Sequence, residues 1–294
     1  MKRFSLVSLI AALSAAFVML SACGDIGSLQ PAVESAVGTI AEVATSLPAA
    51  EAQAEPETAE PATGHTTAAH WTYEGEAGAQ TWATPYPDCG GVAQSPIDLT
   101  GAEAMDMANL VLNYQPSGIT IRNNGHTVQV DMDPGSTIEL DGQRYRLAQF
   151  HFHAPSEHTI DGQPAAAELH LVHVSDDTQP ASPKVVVGVL IKVGADNPVL
   201  SAVWDNLYAA NATPQPVNGT INAADLLPAT QTRYHYTGSL TTPPCTEGID
   251  WNVMTKPIEM SQAQLDAYIE LFKSATNRPV QRLNDRALSI DSTP

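Results

Sequence analysis

The sequence predicts a mainly β fold of the α+β class: one domain around a large, mostly antiparallel sheet, with helices at its periphery. Three observations predict it. Runs of β-branched and aromatic residues recur, each bounded by Gly, Pro, Asn or Asp. Asn123-Asn124-Gly125 and Asp141-Gly142 are tight-turn signals that make the flanking strands antiparallel. Helical patterns are few and do not alternate with the strands, which argues against a doubly wound sheet.

In chain order, strands are expected over 119–122, 126–132 and 136–140, separated by those turns. Longer strands are expected over 145–153, 167–174 and 185–193. Helical periodicity appears over 198–208 and again over 261–273, where Ser261 is placed to cap the helix N-terminus.

What precedes these elements is an address. Lys2 and Arg3 open an apolar run to Leu20, and Leu20-Ser21-Ala22-Cys23-Gly24 follows. Small residues before a single Cys resemble a bacterial lipobox, which implies that 1–22 is a lipoprotein signal peptide and that Cys23 receives the lipid. The run is short for the ~20 residues of a membrane span. Residues 23–69 are rich in Ala, Glu, Pro and Thr and cannot bury enough surface to offset their ordering entropy. They read as a flexible tether. The globular domain is expected over 70–290. The expected location is outside the cytoplasm, lipid-anchored and facing the periplasm or cell exterior. In a Gram-negative cell the outer membrane is favoured, because Gly24 rather than Asp follows the Cys.

Charge narrows the function. Thirteen Lys and Arg stand against 32 Asp and Glu, a formal charge of −19. Such a surface does not neutralise phosphates, which argues against nucleic acid as a partner. It also disfavours electrostatic docking on anionic lipid, leaving the lipid on Cys23 as the membrane contact. Three Cys are too few for a four-Cys zinc site.

The nine histidines carry the chemistry. In Gln149-Phe150-His151-Phe152-His153, side chains at i, i+2 and i+4 share one strand face. Gln149, His151 and His153 therefore point together, and Phe150 and Phe152 point into a core. In Glu168-Leu169-His170-Leu171, Glu168 and His170 share a face. If the two strands are neighbours, three imidazoles converge. Three His leave one tetrahedral corner of Zn²⁺ for water, the composition of a catalytic rather than a structural site. Gln149 and Glu168 are placed to take the other ring N–H of a ligand and fix its tautomer. His158 and His173 read as structural: the first falls after the strand, the second on the face opposite His170. The chain has no His-rich tract, which argues against a mobile metal carrier.

QFHFHAPSEH (149–158), ELHLVHV (168–174), SLTTPPCTEGIDW (239–251) and QSPI (94–97) together resemble the α-class carbonic anhydrases, as found in bacteria. The resemblance spans about 70 to 286. It implies a single domain around a twisted sheet, with one zinc ion at the base of a cleft. The implied reaction is zinc-dependent, reversible hydration of CO₂ to bicarbonate and a proton, with zinc hydroxide as nucleophile. The implied zinc ligands are His151, His153 and His170, supported by Gln149 and Glu168. Thr241 would orient the nucleophile and pass its own hydroxyl hydrogen to Glu157. Tyr73 and Thr242 would line the water network. Val172, Val186, Leu240 and Trp251 would form the apolar wall for CO₂. His126 occupies the position of the proton shuttle, and Arg278 a structural position. Cys89 and Cys245 would form a disulfide, as in bacterial members. Sulfonamides and anions would inhibit, and the resemblance leaves room for a homodimer. Two departures touch loops only: Thr81-Trp82 where a His-Trp pair is often found, and Arg282 where Pro is usual.

Overall fold

The structure, a computed structural model, describes residues 70–175, 182–208, 213–291 and 293. The signal peptide, Cys23 and tether expected over 1–69 lie outside the described residues. The described strands are β1 (Glu103–Ala104), β2 (Val111–Asn113), β3 (Ser117–Asn123), β4 (Val128–Met132), β5 (Thr137–Leu140), β6 (Gln143–His153), β7 (Thr159–Ile160), β8 (Gln163–Pro164), β9 (Ala167–Ser175), β10 (Ser182–Val193), β11 (Gln215–Ile221), β12 (Arg233–Ser239), β13 (Glu247–Met260) and β14 (Ser289–Asp291). Two α-helices accompany them, α1 (Pro198–Trp204) and α2 (Gln262–Phe272).

Twelve strands form one sheet along the path β1-β14-β12-β13-β10-β9-β6-β4-β3-β11, with β5 also on β6 and β2 on β5. β7 and β8 pair separately. Nearly every pairing is antiparallel, as expected. The parallel pairs are β10 with β13 and β1 with β14.

Alternation along the central strands builds two apolar layers. Phe150 and Phe152 of β6, Leu169 and Leu171 of β9, and Val185, Val187 and Val189 of β10 enter one large cluster, covered by Leu200 and Val203 of α1 and Leu265 and Tyr268 of α2. Val172 of β9, Val186 of β10 and Trp251 of β13 point to the other face and join Ile249 and Tyr236 in a second cluster. Both faces of β9 are therefore covered, and all nine of its residues are buried. The strand can carry inward polar residues only where each finds a partner. His173 finds Tyr114, whose hydroxyl lies 2.7 Å from Nε2, and the Val185 carbonyl at 3.3 Å from Nδ1. Burial pushes its pKa down to about 3, so it stays neutral.

The helices begin as expected. Ser261 caps α2 and exchanges hydrogen bonds with Gln264 in a capping box. Asn197 caps α1 through the amides of Val199 and Leu200. α1 ends at Trp204, short of the expected Tyr208. The Asn206 side chain bonds the Ala202 carbonyl, and the Asn206 and Leu207 amides turn back three residues instead of four.

Candidate active site

β6 and β9 lie side by side in a register that sets His151 opposite His170 and His153 opposite Glu168. Period-two alternation then turns His151, His153 and His170 to the same face. The ring centroids are 5.0 Å apart for His151–His153, 5.2 Å for His151–His170 and 4.7 Å for His153–His170. One nitrogen from each ring falls in a group whose members all lie within 4.8 Å of one another.

Hydrogen bonds decide which nitrogen each ring presents. His151 Nδ1 lies 2.9 Å from Gln149 Oε1, leaving Nε2 for the cleft. His153 Nδ1 lies 2.5 Å from the Thr276 carbonyl, and its Nε2 is buried without a partner. His170 Nε2 lies 2.9 Å from Glu168 Oε1, leaving Nδ1. The Thr276 carbonyl was not legible in the sequence, because a backbone acceptor carries no residue signature.

Glu168 is a buried carboxylate with four donors. Its Oε2 accepts the amides of Glu157 at 2.9 Å and His158 at 2.8 Å. Its Oε1 meets His158 Nδ1 at 2.6 Å and His170 Nε2 at 2.9 Å. Burial alone would raise its pKa, but His158 and His170 and their hydrogen bonds hold it well below the usual carboxylate range. An ionised Glu168 only accepts, so both imidazoles donate to it. His158 Nε2 then faces the Tyr236 hydroxyl at 2.7 Å, and that hydroxyl lies 2.8 Å from Ser95 Oγ. His158, Glu168 and His170 also cluster closely enough to suggest a second metal group. Both His158 nitrogens are already committed, so this cluster is a support for His170.

Burial pushes the pKa of His151 and His170 down, and that of His153 down to about 4. All three rings are neutral at pH 7, the form that a cation requires. Glu157 is also fully buried. Burial raises its carboxyl to about 7, against the lowering effects of His170, the Arg278 amide and the Thr241 hydroxyl. Its Oε1 accepts from the Arg278 amide at 2.8 Å, while Oε2 stands 3.5 Å from His153 Nε2 without a hydrogen bond. The Arg278 guanidinium holds Gln94 Oε1 and the Ser95 carbonyl, both at 2.8 Å, and the Cys89 carbonyl at 3.0 Å.

A cavity of about 190 Å³ opens over this centre, lined by Gln149, His151, His170, Val172, Val186, Leu240, Thr241, Thr242 and Trp251. It is polar on the histidine side and apolar on the valine and tryptophan side. Tyr73 does not line this cavity. Its ring stands edge-on to His153 at 6.4 Å, and its buried hydroxyl lacks a partner. His126 lies farther out. The sequence placed it at the start of a strand, but β4 begins only at Val128. Asn124 Oδ1 accepts the amides of His126 and Thr127, both at 2.9 Å, and so holds His126 in the turn. Its ring stacks on Trp71 with centroids 3.6 Å apart and planes at 11°. A disulfide joins Cys89 to Cys245, four residues beyond Thr241.

Residues 77–291 match the family described as eukaryotic-type carbonic anhydrase. The chain belongs to the α-carbonic anhydrases. A carbonic anhydrase of Nostoc sp. is 41% identical over 227 residues, which cover 74% of this chain and 84% of the relative. One of Neisseria gonorrhoeae is 37% identical over 236 residues, covering 79% and 92%. Among solved structures, a hyperthermostable carbonic anhydrase from a hydrothermal vent chimney superposes with a TM-score of 0.72 at 43% identity, covering 76% of this chain and all of that one. The α-carbonic anhydrase of Thermovibrio ammonificans, solved with the inhibitor sulfanilamide, gives 0.71 at 39% identity, covering 75% and 99%. The activity that follows for this α-carbonic anhydrase is zinc-dependent, reversible hydration of CO₂.

Proposed function

We propose that this carbonic anhydrase binds one zinc ion through His151 Nε2, His153 Nε2 and His170 Nδ1. The observation that carries this reading is the buried, unpartnered Nε2 of His153, aimed into a group of three neutral imidazole nitrogens. A buried lone pair with no donor is costly unless something occupies the space before it. Three nitrogen donors leave one coordination position for the reaction.

Zinc held there supplies the Lewis acidity that makes water a nucleophile at neutral pH. The chain's own residues do the rest. Gln149, the Thr276 carbonyl and Glu168 fix the three ring orientations. Thr241, whose hydroxyl helps to hold down the Glu157 pKa, orients the attacking oxygen. Val172, Val186, Leu240 and Trp251 hold CO₂ against a wall that offers it no competing polar contact. Thr242 lines the cavity and Tyr73 stands beside His153, on the side where water would link the centre to the rim. His126 takes the proton released in each turnover and hands it to buffer. Its pKa is lowered by burial and by His70, so the ring is neutral and ready to accept at pH 7.

The same open position would take a sulfonamide or a small anion. Export with a lipid on Cys23 is supported by the lipobox-like segment and by a disulfide that suits an oxidising compartment. Cys23→Ser should abolish incorporation of labelled fatty acid and release the protein from membranes. The decisive experiment for the zinc site is His153→Ala, followed by metal analysis and stopped-flow CO₂ hydration. Most of the zinc and the activity should be lost. Full zinc and full activity would sink the ligand assignment.

A further inference from the structure

His153 is held by the backbone on either side of it. The ladder between β6 and β4 stops at the pair of His151 with Gln129, and beyond it side chains take over. Thr127 Oγ1 accepts the Phe152 amide at 3.2 Å and donates to the Phe152 carbonyl at 2.6 Å. Tyr268 of α2 donates its hydroxyl to the same carbonyl at 2.7 Å. After His153, the Ala154 amide donates to Thr276 Oγ1 at 3.0 Å, and the Thr276 amide donates to the Ala154 carbonyl at 3.0 Å. The Thr276 carbonyl in turn accepts from His153 Nδ1.

Tyr268 joins the two halves, because its hydroxyl oxygen also lies 3.1 Å from Thr276 Oγ1. Each hydroxyl has one hydrogen to give. The Tyr268 hydrogen goes to Phe152, so Tyr268 accepts from Thr276, and the Thr276 oxygen keeps a lone pair for the Ala154 amide. Thr127, Tyr268 and Thr276 are all buried. An unmade hydrogen bond there is costly, so the network favours this one arrangement. Burial raises the Tyr268 pKa, and the hydroxyl stays protonated. The ring itself is seated by apolar contacts, edge-on to Phe152, stacked on Trp204 and tilted against Phe272.

We propose that Tyr268 is a positioning residue for the metal centre: by tying Phe152 to Thr276, its hydroxyl fixes the carbonyl that orients the His153 ring and so aims His153 Nε2. The inference rests on the reading of His153 as a zinc ligand. Tyr268 touches neither zinc nor substrate, and it acts through Thr276.

The test compares the parent protein with Tyr268→Phe, which removes one oxygen and keeps the ring packing. Zinc affinity, measured by competition with a chelator, should fall on the order of tenfold, the low end for a group behind a ligand. In the zinc-free protein the His153 Nδ1 hydrogen, followed by NMR, should exchange with solvent faster than in the parent. Phe272→Leu loosens the same helix against the same ring but leaves the hydroxyl; it should lower the Tm and leave zinc affinity unchanged. Thr276→Val keeps the carbonyl and removes the hydroxyl. It should weaken zinc binding as Tyr268→Phe does, and Thr276→Ser should recover most of the loss. Parent-like zinc affinity in Tyr268→Phe would overturn the proposal. An equal loss in Phe272→Leu would overturn it too, since helix packing and not the hydroxyl would then be responsible. Should Tyr268→Phe not fold, the two Thr276 variants decide, and equal affinities in both would refute the role. Failure of the ligand reading looks different: the Nδ1 hydrogen would still exchange faster in Tyr268→Phe, while His153→Ala would keep its zinc.

Discussion

At the scale of single residues, two roles that a static site can confuse are separable by kinetics. In the proposed mechanism His151, His153 and His170 serve bond-making, whereas His126 serves proton removal. His126→Ala should leave zinc content and kcat/KM nearly unchanged, since those report attack on CO₂. It should lower kcat in dilute buffer on the order of tenfold, and added imidazole should restore much of the loss. A fall in kcat/KM and thermal stability would instead mark His126 as structural. The three imidazoles were legible in the sequence because strand alternation is a strict rule: HxH and ExH each fix a face without further information. His158 was not legible as more than a filler. Its position after β6 says nothing of Tyr236 and Ser95, which are 78 and 141 residues away from their hydrogen-bond partners in this chain of contacts. Trp71 was likewise invisible as the stacking partner of His126, since the two are far apart in sequence.

At the scale of elements, the strands with alternating apolar residues were recognisable, and those named in the second half of the chain stopped at β10. β12 reads Arg-Tyr-His-Tyr-Thr-Gly-Ser, with only tyrosines between its polar residues, and in β13 the short alternation of Ile249, Trp251 and Val253 with Asp250 and Asn252 runs on into Lys256 and Pro257, which read against a long strand. Their polar side chains are satisfied by one another: Arg233 Nε donates to Asn252 at 2.8 Å, and Asn252 donates to Asp250 at 2.6 Å. Such pairings appear only once the strands are adjacent. β13 also runs parallel to β10, an arrangement that short turns do not announce. The packing of β10 against β9 leads to a test. Gly188 lies opposite His170, and a Cβ there would stand 3.2 Å from Glu168 Oε1 and 3.2 Å from Val253 Cγ2. Gly188→Ala should therefore disturb Glu168 from beneath, although residue 188 touches no ligand. Overpacking of this kind costs about 1–3 kcal/mol, and disturbance of a ligand's hydrogen-bond partner lowers metal affinity by about 10- to 100-fold. Thermal unfolding and a zinc competition titration measure the two effects. Unaltered zinc affinity would show that Glu168 does not govern the ligand.

At the scale of the whole molecule, two regions distant in sequence close the cleft. The entering segment brings Trp71, Tyr73 and Trp82 into one aromatic cluster with Cys89 and Cys245. The segment after β12 brings Leu240, Thr241 and Thr242. The disulfide ties them across 156 residues of chain. A cross-link of that span stabilises chiefly by restricting the unfolded chain, by about 5 kcal/mol as an upper estimate in the chain-entropy treatment. The three histidines proposed as zinc ligands do not depend on it, because β6 and β9 hold them through sheet register. The loop bearing Thr241 has further ties as well: the Leu240 amide to the Thr246 carbonyl, the Cys245 amide to the Thr242 carbonyl, and Gln94 Nε2 to the Cys245 carbonyl. Replacing both cysteines by Ser should therefore separate stability from catalysis. The urea midpoint should fall substantially, while the folded variant keeps its zinc and a kcat/KM within a few-fold of the parent. Equilibrium unfolding and stopped-flow hydration on the same preparations make the comparison. An unmoved midpoint would mean that the bridge restrains a chain already restrained by other contacts. A collapse of kcat/KM with zinc retained would mean that the bridge, rather than those three hydrogen bonds, holds Thr241 in place over the reacting oxygen.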